Sequence, residues 1–161
     1  YRDTADPENQ RLAFSAQIGI AVETGLPLVI HLRDRQDSEE AAVETFRMLD
    51  AASGELTVIL HCFSVPDRVE DAVNRGWYCS FAGNVTYPAN ESLRVAVAKV
   101  PDELILVETD SPYLTPQSKR RERNEPAFVV ETATLVASLR GTAPDEFDRI
   151  VTENSGRLFG W

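Results

Sequence analysis

The sequence predicts an α/β protein built around a parallel sheet, and two observations support that prediction. Short apolar segments alternate with longer segments of helical periodicity along the chain. The apolar segments are hydrophobic at nearly every position, as strands are when helices cover both faces of a parallel sheet. Two architectures fit this alternation, an open doubly wound sheet and a (β/α)8 barrel.

Four segments are predicted to be strands. They read "LPLVIHL" at 26–32, "TVILHCF" at 57–63, "WYCSFAG" at 77–83 and "LILVETD" at 104–110. Helices are predicted before, between and after them, at 7–24, 37–52, 66–75, 90–99, 126–140 and 144–158. Gly25 and Gly76 end two of these helices, because glycine adopts the left-handed conformation of a helix end without strain. The length and the unbroken alternation predict one domain.

Composition restricts the classes of protein and of partner. The chain has 161 residues, of which 43% are hydrophobic and 26% charged, and no apolar run approaches the roughly 20 residues of a membrane span. The first residues, "YRDTADPENQ", do not resemble a signal peptide. Cys62 and Cys79 lie in apolar segments without CxxC spacing, so we expect reduced, buried thiols in a cytoplasmic protein.

Polar side chains lie at the carboxyl ends of the predicted strands, where both architectures place their chemistry. His31 ends one strand, His61 the next and Asp110 the last. A single histidine in an apolar strand is more often a hydrogen-bonded core residue than a ligand, but three such residues at equivalent strand ends indicate a site. Imidazole and carboxylate together are typical of zinc, manganese and similar divalent metal ions.

Glu108 lies two residues before Asp110, so strand alternation predicts that both side chains point the same way. A second carboxylate beside a metal site would hold a ligand in place or contact the substrate. The alternative interpretation of Glu108 is an internal ion pair.

Basic residues follow two of the predicted strands in a chain whose net charge is −10. An acidic protein repels nucleic acid at long range, so such a substrate would need a local positive field or bridging cations. Guanidinium groups match phosphate geometry, which predicts phosphate binding by these residues, although an exposed charged loop is a common alternative. The residues are Arg33, Arg35, Lys119, Arg120, Arg121 and Arg123.

Five motifs in unbroken order resemble the TatD family of metal-dependent deoxyribonucleases. They are "PLVIHLRD", "LHCFS", "SFAGNVTYP", "LILVETDSPYLTP" and "RNEPAFV", and together they extend over essentially the whole chain. The resemblance implies a TIM-barrel fold and divalent-metal phosphodiesterase activity on DNA. Some members of the family are 3′-to-5′ exonucleases, and some also act on RNA.

The same resemblance implies roles for individual residues. His31 and His61 resemble the metal-binding histidines on barrel strands five and six, and Asp110 resembles the metal-binding and catalytic aspartate on strand eight. The segment Asn124–Glu125–Pro126 resembles the family's loop after that strand, which would support the active-site end. The cofactor would be divalent metal, Mg, Mn or Zn, with two ions in the intact protein and DNA as the substrate.

The sequence departs from the family in one large respect. The family begins with His-x-His on strand one and has a metal-bridging glutamate in a "GEIGLDY"-like segment. Tyr1-Arg2-Asp3 resembles the residues that continue this segment. A barrel needs roughly 250 residues, and only four strands are predicted here. We therefore expect residues 1–161 to be the C-terminal part of a single hydrolase domain, strands five to eight, that is active only in the intact protein.

Two other functions remain open from the sequence. One is an amidohydrolase of the same superfamily that acts on a small cyclic amide or ester. The other is a non-catalytic remnant that binds nucleic acid or a partner. The loop after the last predicted strand, here called the basic loop, favours the phosphodiester substrate over the amide. Its basic residues are Lys119, Arg120, Arg121 and Arg123.

Overall fold

A four-stranded parallel sheet organises the chain. The computed structural model describes residues 5–35 and 37–161. Tyr1, Arg2 and Asp3, part of the family resemblance, lie outside these residues. The strands are β1 (Leu28–His31), β2 (Val58–His61), β3 (Tyr78–Phe81) and β4 (Ile105–Val107).

The strands lie in the sheet in chain order, β1-β2-β3-β4, and every pair is parallel. The register places His31 directly opposite His61. Strand order does not reverse among the described strands, whereas a doubly wound sheet reverses at its switch point. The observed order therefore favours the barrel alternative over the open sheet.

The described residues form six α-helices beside the sheet. They are α1 (Pro7–Thr24), α2 (Glu40–Asp50), α3 (Val69–Asn74), α4 (Glu91–Lys99), α5 (Val129–Arg140) and α6 (Pro144–Phe159). Short 3₁₀ turns lie at Pro66–Arg68, Gly83–Thr86, Asp102–Leu104, Gln117–Lys119 and Pro126–Phe128. No helix in the described part of the chain is both long enough and apolar enough to cross a membrane.

Helix α1 has the predicted bounds because capping residues define both of its ends. The Asp6 carboxylate accepts a hydrogen bond from the Glu8 N–H at 2.7 Å, and a proline occupies the first helical position. Gly25 ends the helix with φ +68°, and its N–H donates to the Ala21 carbonyl. Helix α2 instead begins later than predicted, where the Asp34 carboxylate accepts from the N–H groups of Ala41 and Ala42.

The strands are shorter than predicted, and the difference is largest for β4. The predicted strand 104–110 ends at Val107, so Glu108 and Asp110 lie beyond it. Asp110 has φ +54°, a left-handed conformation that cannot continue a strand. The alternation argument for Glu108 and Asp110 was therefore wrong in its premise, and their relative position depends on a turn.

The face of the sheet opposite to His31 and His61, here called the outer face, packs against the helices. Ile30, Leu60, Cys79 and Ile105 are buried there in the main hydrophobic core. The Phe63 and Phe81 rings, like those of Phe46 and Trp77, meet edge to face within this core. Both cysteines are free and buried as predicted, and burial raises the pKa of Cys79 to about 12.

The face that includes His31 and His61, here called the inner face, has a smaller apolar cluster. Ile59 and Leu106 are buried against Leu158 of α6, with Tyr78 half-buried beside them. Val29, on the edge strand β1, is 56% exposed. Among the described residues, β1 and β4 each pair with one strand only, so both have an open edge.

Candidate functional site

The site centres on His61, which ends β2 with a carboxylate beside each of its two ring nitrogens. The Nδ1 atom lies 2.8 Å from Glu108 Oε1, and the Nε2 atom lies 3.5 Å from Asp110 Oδ1. All three side chains are partly buried, and each offers a ligand atom within 4.8 Å of the other two. An imidazole and two carboxylates form a donor set suited to a divalent transition metal ion.

A tight turn after β4 brings the two carboxylates to the same ring. The Glu108 N–H donates to the Phe81 carbonyl at 2.9 Å, which extends the contact between β3 and β4 by one residue. The Tyr113 N–H then donates to the Asp110 carbonyl, and Asp110 is left-handed. Cys62, directly after His61, has φ +46°, so uncommon backbone conformations occur at both strand ends, as is frequent at functional sites.

Glu108 is fixed through one of its two carboxylate oxygens. The Ser80 hydroxyl donates to Oε2 at 2.5 Å, whereas Oε1 is buried beside the His61 ring. Oε1 lies 2.8 Å from His61 Nδ1, and this contact is an ion pair when His61 is protonated. Ser80 and His61 therefore contact the two oxygens of one carboxylate.

The charge of the carboxylates changes the protonation of His61. Contact with Glu108 raises the pKa of His61 above its ordinary value, burial opposes this, and the charge of Asp110 adds to it. Burial, with the same two carboxylates, raises the pKa of the adjacent Cys62 to about 12. The Cys62 thiol therefore stays protonated at neutral pH.

His31 lies beside this group of three rather than within it. Its ring centroid is 5.7 Å from that of His61, with the planes inclined by 43°. It belongs to the edge strand β1 and is exposed. Of the predicted ligands, the structure brings His61 and Asp110 together with Glu108 and leaves His31 one ring away.

Asn124 fixes the turn that includes Asp110. Its buried side-chain amide donates to the carbonyl of Thr109 at 2.8 Å and to the carbonyl of Tyr113. These contacts join the Asn124 side chain to the turn that includes Asp110, and the supporting role of the Asn124–Glu125–Pro126 segment stays a prediction. Glu125 itself is exposed. A cleft of about 480 Å³ lies beside the turn, lined by Ser111, Pro112, Arg123, Asn124, Glu125 and Pro126.

The basic residues after β4 differ in their contacts. The Arg120 guanidinium lies 4.3 Å from the centroid of the Tyr87 ring and donates to the Tyr87 hydroxyl at 3.1 Å. Lys119 lies over the Phe128 ring and 3.7 Å from a Glu122 carboxylate oxygen. The other four predicted phosphate-binding residues, Arg33, Arg35, Arg121 and Arg123, are exposed in their loops.

The turn after β3 holds the base of the basic loop. Thr86 Oγ1 accepts from the Gln117 N–H at 2.7 Å, and the Tyr87 hydroxyl donates to the Thr115 carbonyl at 3.0 Å. At Gly83 the two segments touch, since a Cβ there would lie 2.1 Å from the Leu114 carbonyl oxygen. Glycine is therefore required at this close approach.

Sequence reasoning missed Ser80 and Tyr87. Ser80 is the polar residue near the end of an otherwise apolar strand, so the strand-end argument applied to His31 and His61 could have found it. Tyr87 has no comparable signal, because its contact with Arg120 joins residues 33 positions apart.

Curated proteins similar to this chain are described as metal-dependent hydrolases. The uncharacterized metal-dependent hydrolase TatD of Mycobacterium tuberculosis is 40% identical over 157 residues, which cover 97% of this chain and 57% of that protein. The uncharacterized metal-dependent hydrolase YcfH of Escherichia coli K12 is 36% identical over 151 residues, 93% of this chain and 55% of that protein. The 3′-5′ ssDNA/RNA exonuclease TatD of Dickeya dadantii is 33% identical over 164 residues, covering 98% and 60%.

Solved structures share the fold. The TatD homolog YJJV from E. coli K12 superimposes with a TM-score of 0.78 at 24% identity, covering 99% of this chain and 61% of that structure. A TatD family hydrolase from Entamoeba histolytica gives 0.75 at 18% identity, covering 96% and 57%. The chain thus spans somewhat more than half the length of these relatives. The profile of the family described as TatD related DNase matches residues 1–160, and this chain belongs to that family.

Proposed function

We propose that this chain forms part of the catalytic centre of a divalent-metal-dependent phosphodiesterase that acts on DNA as a 3′-5′ exonuclease. The observation that supports this most directly is His61, held between Glu108 and Asp110 at the carboxyl ends of parallel strands. The name of the Dickeya dadantii relative, an exonuclease for single-stranded DNA and RNA, supports the substrate class.

We assign the metal-binding role to His31, His61 and Asp110, and two ions to the intact protein. A divalent metal ion bound by these residues would lower the pKa of its bound water and polarise a phosphoryl oxygen. Glu108 holds the Nδ1 side of His61, which leaves Nε2 facing Asp110. Asp110 also accepts the proton of the attacking water, as a general base next to the reacting phosphate.

The basic residues supply the positive field that an acidic protein needs to bind DNA. Arg123 borders the cleft beside Asp110, and Arg120 is held at its loop by Tyr87. We propose that they bind substrate phosphates together with Arg33, Arg35, Lys119 and Arg121. The fold proposal that accompanies this function places β1 to β4 as strands five to eight of a (β/α)8 barrel, in agreement with their parallel, sequential order.

The experiment that tests the function uses a chimera, in which these residues replace the matching segment of the M. tuberculosis relative. We expect the chimera to digest a 3′-labelled single-stranded oligonucleotide in the presence of Mn²⁺ or Mg²⁺. We expect His61→Ala in the chimera to lower metal content and activity together. Normal metal content and activity in a folded His61→Ala chimera would remove His61 from the site.

The 161-residue chain alone serves as a second sample in the same assay. We expect little turnover from it, because β1 and β4 have open edges and Val29 lacks an opposing wall on the inner face. Digestion by the chain alone at the rate of the chimera would show that the described site is sufficient.

The alternative activity is hydrolysis of a small cyclic amide or ester. A phosphodiester chromophore and a panel of cyclic amides, assayed on the same chimera, distinguish the two. Turnover of amides without phosphodiester turnover would overturn the proposal. DNA binding without any turnover at saturating metal would instead indicate a binding module.

A further inference from the structure

We infer that Ser80 is a positioning residue of this centre: its hydroxyl orients the Glu108 carboxylate so that His61 keeps a proton on Nδ1 and presents Nε2 towards Asp110. The consequence for metal affinity rests on the proposed function. The orientation of the Glu108 carboxylate rests on the contacts of Ser80, Glu108 and His61.

Ser80 is placed for this role by β3. It is 4% exposed and lies opposite Leu106 in the parallel register, on the inner face of the sheet. A buried hydroxyl in such a strand is costly unless it has a hydrogen-bond partner. Its partner is Oε2 of Glu108, a carboxylate oxygen, which makes this bond stronger than one between neutral groups.

The side chain of Ser80 is not needed for the backbone of β3. The Ser80 carbonyl accepts from the Phe63 N–H at 2.8 Å, and this bond is independent of the hydroxyl. Removal of the hydroxyl therefore leaves the strand contacts in place and frees Glu108 Oε2. The effect of the hydroxyl is thus directed at Glu108.

Fixing Oε2 determines what Oε1 can do. The terminal torsion of a glutamate has a broad, two-fold preference, so a free carboxylate samples many orientations. With Oε2 bound to Ser80, Oε1 is held 2.8 Å from His61 Nδ1. Because this contact is shorter than the 3.5 Å between Nε2 and Asp110 Oδ1, it favours the tautomer in which neutral His61 has its proton on Nδ1 and a lone pair on Nε2.

The tautomer can be measured without metal because the chain has only two histidines. Long-range ¹H–¹⁵N spectra of the untagged, metal-free chain, recorded where both rings are neutral, distinguish the two tautomers, and His31→Gln assigns the remaining ring. We expect the Nδ1-protonated form for His61 in the wild type and a mixture in Ser80→Ala. An unchanged tautomer in a folded Ser80→Ala chain would overturn the inference.

Metal affinity gives the second readout. Calorimetric titration with Mn²⁺ or Zn²⁺ should show Kd raised about 10–100-fold in Ser80→Ala, the usual range for a group that orients a metal ligand. Ser80→Thr, which keeps the hydroxyl, should restore both tautomer and affinity. Ser155→Ala removes a hydroxyl bonded to the Val151 carbonyl within α6 and should change neither.

The outcomes separate this inference from the proposed function. A wild-type chain and chimera that bind no metal, together with a tautomer that depends on Ser80, would overturn the function and support the positioning role. Equal metal affinity in wild type and Ser80→Ala would overturn the role of Ser80 and leave the proposed function in place. Equal losses in Ser80→Ala and Ser155→Ala would show a general structural effect and also overturn the inference.

Discussion

The two faces of the sheet use the same four strands for different purposes. On the outer face, Ile30 and its neighbours are buried against helices in one large core. On the inner face, the apolar cluster is small, Val29 is exposed, and the strand ends hold His31 and His61. This difference indicates that stability depends mainly on the outer face and chemistry on the inner one, so substitutions should separate the two.

The largest expected effect is on activity, at the inner-face end of β4. Asp110→Asn in the chimera should lower the rate about 10²–10⁴-fold, the scale of general-base catalysis, while the melting temperature changes little. Asparagine tolerates the left-handed conformation of this position, so the turn should be kept. The measurement is the rate of oligonucleotide digestion at saturating metal.

Asp102→Asn is the matched control, because Asp102 precedes the same strand at its other end and accepts a bond from Arg140. We expect it to leave the digestion rate unchanged. A near-normal rate in Asp110→Asn would remove the general-base role, and equal losses in both variants would contradict the separation of the two ends.

The second largest expected effect is on stability. It is tested by comparing substitutions at two neighbouring residues of β1. Ile30→Ala should lower the free energy of unfolding by about 2–5 kcal/mol, because it opens a cavity in the outer-face core. Val29→Ala should cost less than about 1 kcal/mol, since its side chain is mostly in solvent. Urea denaturation of the 161-residue chain measures both. Similar losses at the two positions would mean that the inner face is packed in solution.

The smallest expected effect concerns the charge of Arg123, which lines the cleft beside the turn of Asp110. Arg123→Gln should reduce the slope of log affinity against log salt by about 0.7 for single-stranded DNA, because one phosphate contact is lost. Arg149→Gln is the control, since Arg149 lies on α6 and pairs with Glu146 and Glu153. Fluorescence anisotropy over a range of salt concentrations measures the slope. An equal change in both variants would indicate a nonspecific effect of net charge.

The sequence was sufficient for the features that depend on periodic patterns and on strand ends. It predicted the order of the elements, the exact course of α1 and the convergence of His61 with Asp110. The order of the elements follows from hydrophobic periodicity, which is local, and the convergence follows because the carboxyl ends of parallel strands lie at one edge of the sheet. The family resemblance added the loop of Asn124, whose amide holds the carbonyls of Thr109 and Tyr113.

What the sequence did not predict depends on contacts between distant residues and on single backbone angles. The left-handed angle of Asp110 ends the alternation on which the orientation of Glu108 had been based. Ser80 and Glu108 are 28 positions apart, and a small buried hydroxyl leaves no trace in a hydrophobic pattern. His31 and His61 occupy equivalent strand ends, but among the described strands only β2, which ends at His61, has a neighbour on both sides.

The close approach at Gly83 has a consequence for any attempt to transfer the basic loop to another protein. The Leu114 carbonyl occupies the space of a side chain at position 83, and Tyr87 joins the same two segments through Thr115. The loop with Arg120 and Arg123 is therefore one half of a two-part module. A graft of residues 114–126 into another scaffold would have to include 83–87, and a side chain at position 83 should disorder the basic loop before it unfolds the sheet.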